Sequence, residues 1–170
     1  MKNIFLVGFM GSGKSTVGKI LSEKTGLKFI DIDEEIEKKQ GKKIKDIFKE
    51  KGEKFFRNLE KEEIKNLAQK EGFIVSTGGG LGANPENMKI MKKNGIVVWI
   101  DVSLDEILRR CGNDMERPLL NQPYESLKNL YEERKKVYSQ AHIHIQGENK
   151  VPEKIAEEIL EKINGNFHRD

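Results

Sequence analysis

The sequence predicts a single α/β domain built on a parallel sheet with helices on both faces. Three observations carry that expectation. Short apolar runs recur near 4–7, 27–30, 73–75, 96–100 and 142–145, each of strand length. Segments of helical spacing separate them. The 170 residues are a one-domain length, enough to bury a core, with no internal repeat or low-complexity linker.

Taken in order, Ile4-Phe5-Leu6-Val7 stops at Gly8, as a buried parallel strand would. Lys14 to Lys24 puts Val17, Ile20 and Leu21 on one helical face, and Gly26 marks its end. A second strand, Leu27 to Ile30, runs into Asp31-Ile32-Asp33. Glu34 to Glu71 is helical and highly charged, broken at Gly41 and Gly52, with Phe55, Phe56, Leu59, Ile64 and Leu67 as its apolar faces. Phe73-Ile74-Val75 is a third strand leading into Ser76-Thr77-Gly78-Gly79-Gly80. Pro85 opens a helix to about Lys93. Ile96 to Ile100 is the clearest buried strand, and Leu104 to Arg110 is helical. Cys111 to Pro123 carries Gly112, Asn113, Asp114, Pro118 and Asn121, which is turn chemistry, and reads as a long loop of the lid kind. Tyr124 to Gln140 is helical, His142 to Ile145 is a fifth strand, and Pro152 opens a last helix to about Ile163.

Composition narrows the function classes. The net charge of +3, from 31 basic and 28 acidic residues, gives no ground for nucleic-acid or membrane binding. Cys111 stands alone, so neither an intrachain disulfide nor a cysteine zinc site can form. The first apolar run is too short for a signal peptide or a membrane span, and a cytoplasmic enzyme is expected. The chain solvates itself with Lys and Glu. Its few arginines (Arg57, Arg109, Arg110, Arg117, Arg134 and Arg169) are therefore candidates for bidentate binding of carboxylate or phosphate.

Gly8-Phe9-Met10-Gly11-Ser12-Gly13-Lys14-Ser15, followed by Thr16, has the Gly-x-x-x-x-Gly-Lys-Ser pattern of a phosphate-binding loop. Glycines let backbone N–H groups approach phosphate oxygens, and the following helix offers its free N–H groups to the same anion. Lys14 is expected to reach the β- and γ-phosphates and Ser15 to ligand Mg²⁺. The motif follows an apolar strand and opens an amphipathic helix, as its mechanism requires.

Asp31 and Asp33 end the second strand, so both carboxylates belong near the phosphates. The third strand ends without an acid, which leaves Asp31 to support the metal, directly or through water. Asp33, if the chain stays extended, points the same way and faces an acceptor hydroxyl. Alternatively it caps a helix starting at Glu34, and one residue can do both. Gly78-Gly79-Gly80 is either a close approach to a small ligand or an ordinary flexible turn.

Together, the Gly8–Thr16 loop, Asp31-x-Asp33, Phe56-Arg57, Ser76-Thr77-Gly78-Gly79-Gly80, Arg117-Pro118-Leu119-Leu120 and Glu133-Arg134 resemble the shikimate kinases, in order and in spacing, to about Ile163. The resemblance implies a three-layer P-loop kinase fold with strand order 2-3-1-4-5, a substrate-binding region near 32–60 and a lid near 111–123. It implies a monomer that transfers the γ-phosphoryl group of ATP, with Mg²⁺, to the 3-hydroxyl of shikimate. It assigns Lys14, Asp33 and Arg117 to catalysis, with Asp33 as proposed base. Arg57 and Arg134 grip the shikimate carboxylate, and Gly78, Gly79 and Gly80 contact the substrate. Gly11, Ser12, Gly13, Lys14, Ser15, Thr16, Arg110, Arg117 and Pro152 contact the nucleotide. Asn149-Lys150-Val151-Pro152 lacks the Arg that some members carry in that loop.

Two rival classes remain in view. Another small-molecule kinase, for gluconate or a nucleotide, would not be expected to carry the triple glycine, or would need a different base-binding insert. A non-catalytic nucleotide-binding regulator should lack Asp33 or the lid arginine, and this chain has both.

Overall fold

In the computed structural model, residues 2–111 and 122–167 are described. The elements run β1 (Asn3–Val7), α1 (Lys14–Thr25), β2 (Lys28–Asp31), α2 (Ile32–Gln40), α3 (Ile44–Lys51), α4 (Glu53–Ala68), β3 (Phe73–Ser76), α5 (Gly79–Gly82), α6 (Pro85–Asn94), β4 (Gly95–Asp101), α7 (Leu104–Cys111), α8 (Tyr124–Tyr138), β5 (Ile143–Gln146) and α9 (Pro152–Phe167). All pairings are parallel and the strand order is β2-β3-β1-β4-β5. The expected three-layer fold and strand order are both present.

Burial follows from position in the sheet. The inner strands β1 and β4 are buried at every residue, because helices cover both their faces. The edge strand β5 alternates buried Ile143 and Ile145 with exposed His144 and Gln146. Right-handed crossovers fix which face each helix takes. The step from β1 to β2 runs one way along the sheet; the steps from β2 to β3, β3 to β4 and β4 to β5 run the other. So α1 covers one face, with α9 packed beside it, and α2 to α8 cover the opposite face. The direction reverses between β1 and β3. Their carboxyl ends, Val7 and Ser76, therefore open the crevice where ligands bind in such sheets.

The charged stretch after β2 is three helices, divided at Gly41 and Gly52 as the sequence suggested. Its first helix starts at Ile32, two residues before the sequence suggested. Asp31 is the cap: it keeps extended dihedrals and its Oδ1 accepts from Glu34 N at 3.2 Å. Asp33 is thus in the first helical turn, neither extended nor the cap. The glycine run is also ordered otherwise than as a flexible turn, since Gly79 and Gly80 begin the helical turn α5. Among the described residues no helix is long and apolar enough to cross a membrane. Residues 112–121, most of the expected lid and including Arg117, lie outside the described residues.

At the other end of the sheet, Asn3 closes the seam between β1, α4 and β3. It is fully buried, donates from Nδ2 to the carbonyls of Leu67 and Lys70 at 2.9 Å, and accepts from Phe73 N at 3.0 Å. Asn3→Ala would leave three backbone groups without these partners. It should lower stability by about 2–3 kcal/mol in urea unfolding, with fold and ligand binding intact. A loss under about 0.5 kcal/mol would mean that water replaces the side chain at no cost.

Candidate active site

The loop after β1 is shaped by its glycines. Gly11 and Gly13 sit at φ of 78° and 93°, a left-handed conformation that a side chain would strain. Gly13 caps α1, so the free N–H groups of the first helical turn face the crevice. Lys14 is buried, and its Nζ donates to the carbonyls of Gly8 at 2.6 Å and Phe9 at 3.0 Å. The ammonium is thereby held at the loop into which a phosphate would enter. Ser12 Oγ is buried with no partner, as a donor kept for a ligand would be. A cleft of about 360 Å³ opens here. It is lined by Met10, Gly11, Gly13, Lys14, Ser15, Thr16, Asp31, Asp33, Glu34 and residues Ser76 to Gly79.

The metal assignment fits the donors present. Ser15 Oγ donates to Asp31 Oδ2 at 2.6 Å and lies 3.1 Å from Ser76 Oγ. These are hard oxygen ligands, few in number, which suits Mg²⁺ because that ion completes its shell with phosphates and water. Ser76, at the end of β3, fills the position where an acid was missed in the sequence.

Across the cleft, four charged side chains converge on the bare backbone of the glycine run. A Cβ on Gly78 would lie 3.2 Å from Asp33 Oδ1 and 3.4 Å from Glu60 Oε2. One on Gly79 would lie 3.0 Å from Arg134 Nη1 and 3.3 Å from the backbone N of Met10 in the phosphate loop. One on Gly80 would collide with the Arg57 guanidinium. A side chain at Gly80 would displace the Arg57 guanidinium, and one at Gly78 or Gly79 would crowd the other groups that would read a substrate. Arg57 comes from α4, Asp33 from α2 and Arg134 from α8. Tyr138 on α8 is fully buried and donates its hydroxyl to Gly79 O at 2.6 Å, which fixes that helix to the turn.

The electrostatics are set mainly by burial. Asp33 is pushed up to about 6, first by burial and then by the neighbouring Asp31 carboxylate, against the pull of Lys14. Its Oδ1 is buried beside Gly78 and accepts no hydrogen bond. Glu60 is pushed up to about 7, mainly by burial, although Arg57 pulls the other way. Burial also presses on the Arg134 guanidinium, lowering its pKa.

Glu60 is the residue the sequence did not single out. It is 1% exposed and accepts from Arg57 Nη1 at 2.7 Å. In a Glu-rich helix it looks like any other surface acid. A signal exists only in retrospect: it lies three residues after Arg57, on the face that also carries Phe56 and Ile64 into the core. Arg57 therefore also forms a salt bridge within its own helix. Arg110 and Pro152 meet each other's neighbourhood rather than the phosphate cleft. Arg110 bonds Glu106 Oε1 at 3.1 Å and Gly147 O at 3.4 Å, in the loop that Pro152 closes as α9 begins.

Known proteins share the frame. The family model for shikimate kinase matches residues 10–164. A shikimate kinase from a Sulfurihydrogenibium species is 63% identical over 163 residues, which is 96% of this chain and 98% of that protein. The crystal structure of shikimate kinase from Aquifex aeolicus superposes with a TM-score of 0.89 at 50% identity, covering 96% of this chain and 97% of that one. Shikimate kinase from Acinetobacter baumannii, solved in complex with shikimate, superposes with a TM-score of 0.93 at 36% identity over 98% of this chain and 95% of that one. With the strand order, the phosphate loop and the charged glycine turn all in place, the chain belongs to the shikimate kinase family.

Proposed function

We propose that this chain, acting as a monomer, transfers the γ-phosphoryl group of ATP to the 3-hydroxyl of shikimate. The observation that carries the residue assignments is the convergence of Asp33, Glu60, Arg57 and Arg134 on Gly78–Gly80 beside the phosphate loop. A small acid with hydroxyl groups suits such a pocket. Two guanidiniums from different helices can bracket a carboxylate, and the Asp33 carboxylate, whose Oδ1 accepts no hydrogen bond in the ligand-free chain, can take a hydroxyl proton.

The steps follow from what each residue offers. The loop amides around Gly11 to Thr16 and the Lys14 ammonium bind the β- and γ-phosphates. Ser15 and Asp31 would hold Mg²⁺, which supplies positive charge against the phosphates. Arg57 and Arg134 orient the acceptor, with Gly79 close to both Met10 of the loop and Arg134. As the acceptor oxygen bonds to the γ-phosphorus, the bridge to the β-phosphate breaks and ADP departs. The hydroxyl proton passes to Asp33. With its pKa near 6, Asp33 can hold that proton at the end of the step without being a strong base at the start. The family resemblance gives Arg117 a phosphate contact and Arg110 and Pro152 an adenine contact. The pairing of Arg110 with the loop before Pro152 is compatible with the latter.

The test is ADP release with shikimate, gluconate and nucleoside monophosphates as acceptors. Turnover with shikimate alone is expected, and Asp33→Asn should lower kcat by about 10²-fold or more while ATP binding survives. Near-normal turnover in that variant would remove Asp33 from the chemistry, and turnover with gluconate instead would move the substrate assignment.

A pH signature belongs to Glu60. Its native pKa lies above its unfolded value, so between about 4.5 and 7 the folded chain holds a proton that the unfolded chain has released. Stability from this group is present at low pH and is lost as pH rises through 7. In ligand-free protein the wild type should therefore lose about 2–3 kcal/mol relative to Glu60→Gln between pH 5 and pH 8, read by urea unfolding at each pH. Parallel stability curves for the two proteins would contradict the assignment.

A further inference from the structure

Arg134 and Tyr138 lie one turn apart on α8, so their side chains share a face. Tyr138 is fully buried, with its ring 6.1 Å from that of Trp99 in β4. Its hydroxyl carries one hydrogen, and Gly79 O takes it at 2.6 Å. The amides three and four residues on, Gly82 N and Ala83 N, go instead to Gly78 O and Gly80 O, both at 3.2 Å. The lone pairs of the phenol oxygen are left to the Arg134 guanidinium, which hydrogen-bonds to them. Gly79 meets both groups: a Cβ there would lie 3.0 Å from Arg134 Nη1 and 3.5 Å from the Tyr138 hydroxyl.

The two arginines of the pocket are thus held in different ways. Arg57 pairs with a carboxyl group, that of Glu60. Arg134 is held by a neutral hydroxyl, because burial pushes the Tyr138 phenol up from its ordinary value despite the pull of the guanidinium. A carboxylate in that place would offset the charge of Arg134 and compete with an anionic ligand. A phenol fixes the guanidinium and leaves its charge to be used.

We infer that Tyr138 is a positioning residue that sets Arg134 and the Gly79 backbone for the substrate carboxylate, on the reading that Arg134 takes that carboxylate. Phe at position 138 keeps the ring and its packing on Trp99 but removes both hydrogen bonds. The carboxylate must then order the guanidinium as it binds, and that ordering weakens the complex. Tyr131, two turns earlier on α8, provides the contrast. Its hydroxyl donates to Val102 O at 2.9 Å and Asp101 Oδ1 at 3.4 Å, tying the helix to the end of β4 rather than to Gly79.

Steady-state kinetics with shikimate and its methyl ester test this in the wild type, Tyr138→Phe and Tyr131→Phe. In Tyr138→Phe, KM for shikimate should rise about tenfold while kcat stays within about threefold. The preference for acid over ester in kcat/KM should fall by about the same tenfold, and KM for ATP should stay within about twofold. Tyr131→Phe should keep the wild-type preference. An unchanged preference in Tyr138→Phe overturns the inference. So does an equal loss in both variants, which would mean a general loosening of α8. Equal use of acid and ester by the wild type would overturn the carboxylate reading, and the inference with it. Nitrogen NMR of the ligand-free wild type decides even where Tyr138→Phe does not fold. The Arg134 Nη signals, identified by their loss in Arg134→Lys, should be separate, as for a guanidinium whose rotation is blocked. A single averaged signal would overturn the positioning role.

Discussion

Three glycines after β3 lack the side chains that would otherwise occupy the space between α2, α4 and α8, and four ionisable groups use that space. Asp33, Glu60, Arg57 and Arg134 stand against the bare backbone of Gly78, Gly79 and Gly80, where any side chain would crowd or displace them. The same turn lies against Met10 of the phosphate loop and accepts the Tyr138 hydroxyl. Much of the molecule is arranged to keep that packing. The sheet sets the height of the turn, α2 and α4 bring the acids and Arg57 from one side, and α8 brings Arg134 from the other.

Burying such a group is costly unless opposite charges are present. Here two carboxylates face two guanidiniums, with Lys14 beyond them, and the balance is imperfect. Burial wins at Asp33 and Glu60, whose pKa values rise despite the nearby cations. Arg57 is shared between Glu60 and the open side of the pocket, so Glu60 holds it in place while leaving its other donors to a ligand. The site is thus pre-formed at some cost to ligand-free stability, as expected where charge must be presented to a substrate in a low-dielectric pocket.

Much of this was legible in the residues because it depends on local rules. The phosphate loop is a contiguous pattern, and the five strands are short apolar runs punctuated by Gly, Asp or Ser. The scarcity of Arg in a Lys-rich chain pointed to Arg57 and Arg134, which do converge. The illegible parts depend on tertiary placement. Glu60 is one acid among many in its helix until the fold buries it. Asp33 reads as strand end or cap, but Asp31 takes the cap, and the early helix turns Asp33 toward Gly78. Phe9 occupies an x position of the loop motif, and only the fold shows its ring lying under Arg134 of α8, more than a hundred residues later.

The central claim is that the pocket reads a carboxylate with two arginines and sets one particular hydroxyl before the γ-phosphate. Phosphorus NMR of the product, with shikimate and its methyl ester compared as acceptors, addresses both parts at once. The account predicts a single product phosphorylated at the 3-hydroxyl from the acid, and turnover of the ester reduced by about 10²-fold or more, since the ester removes the negative charge that Arg57 and Arg134 would bracket. Comparable turnover of acid and ester, or phosphate on another hydroxyl, would contradict it.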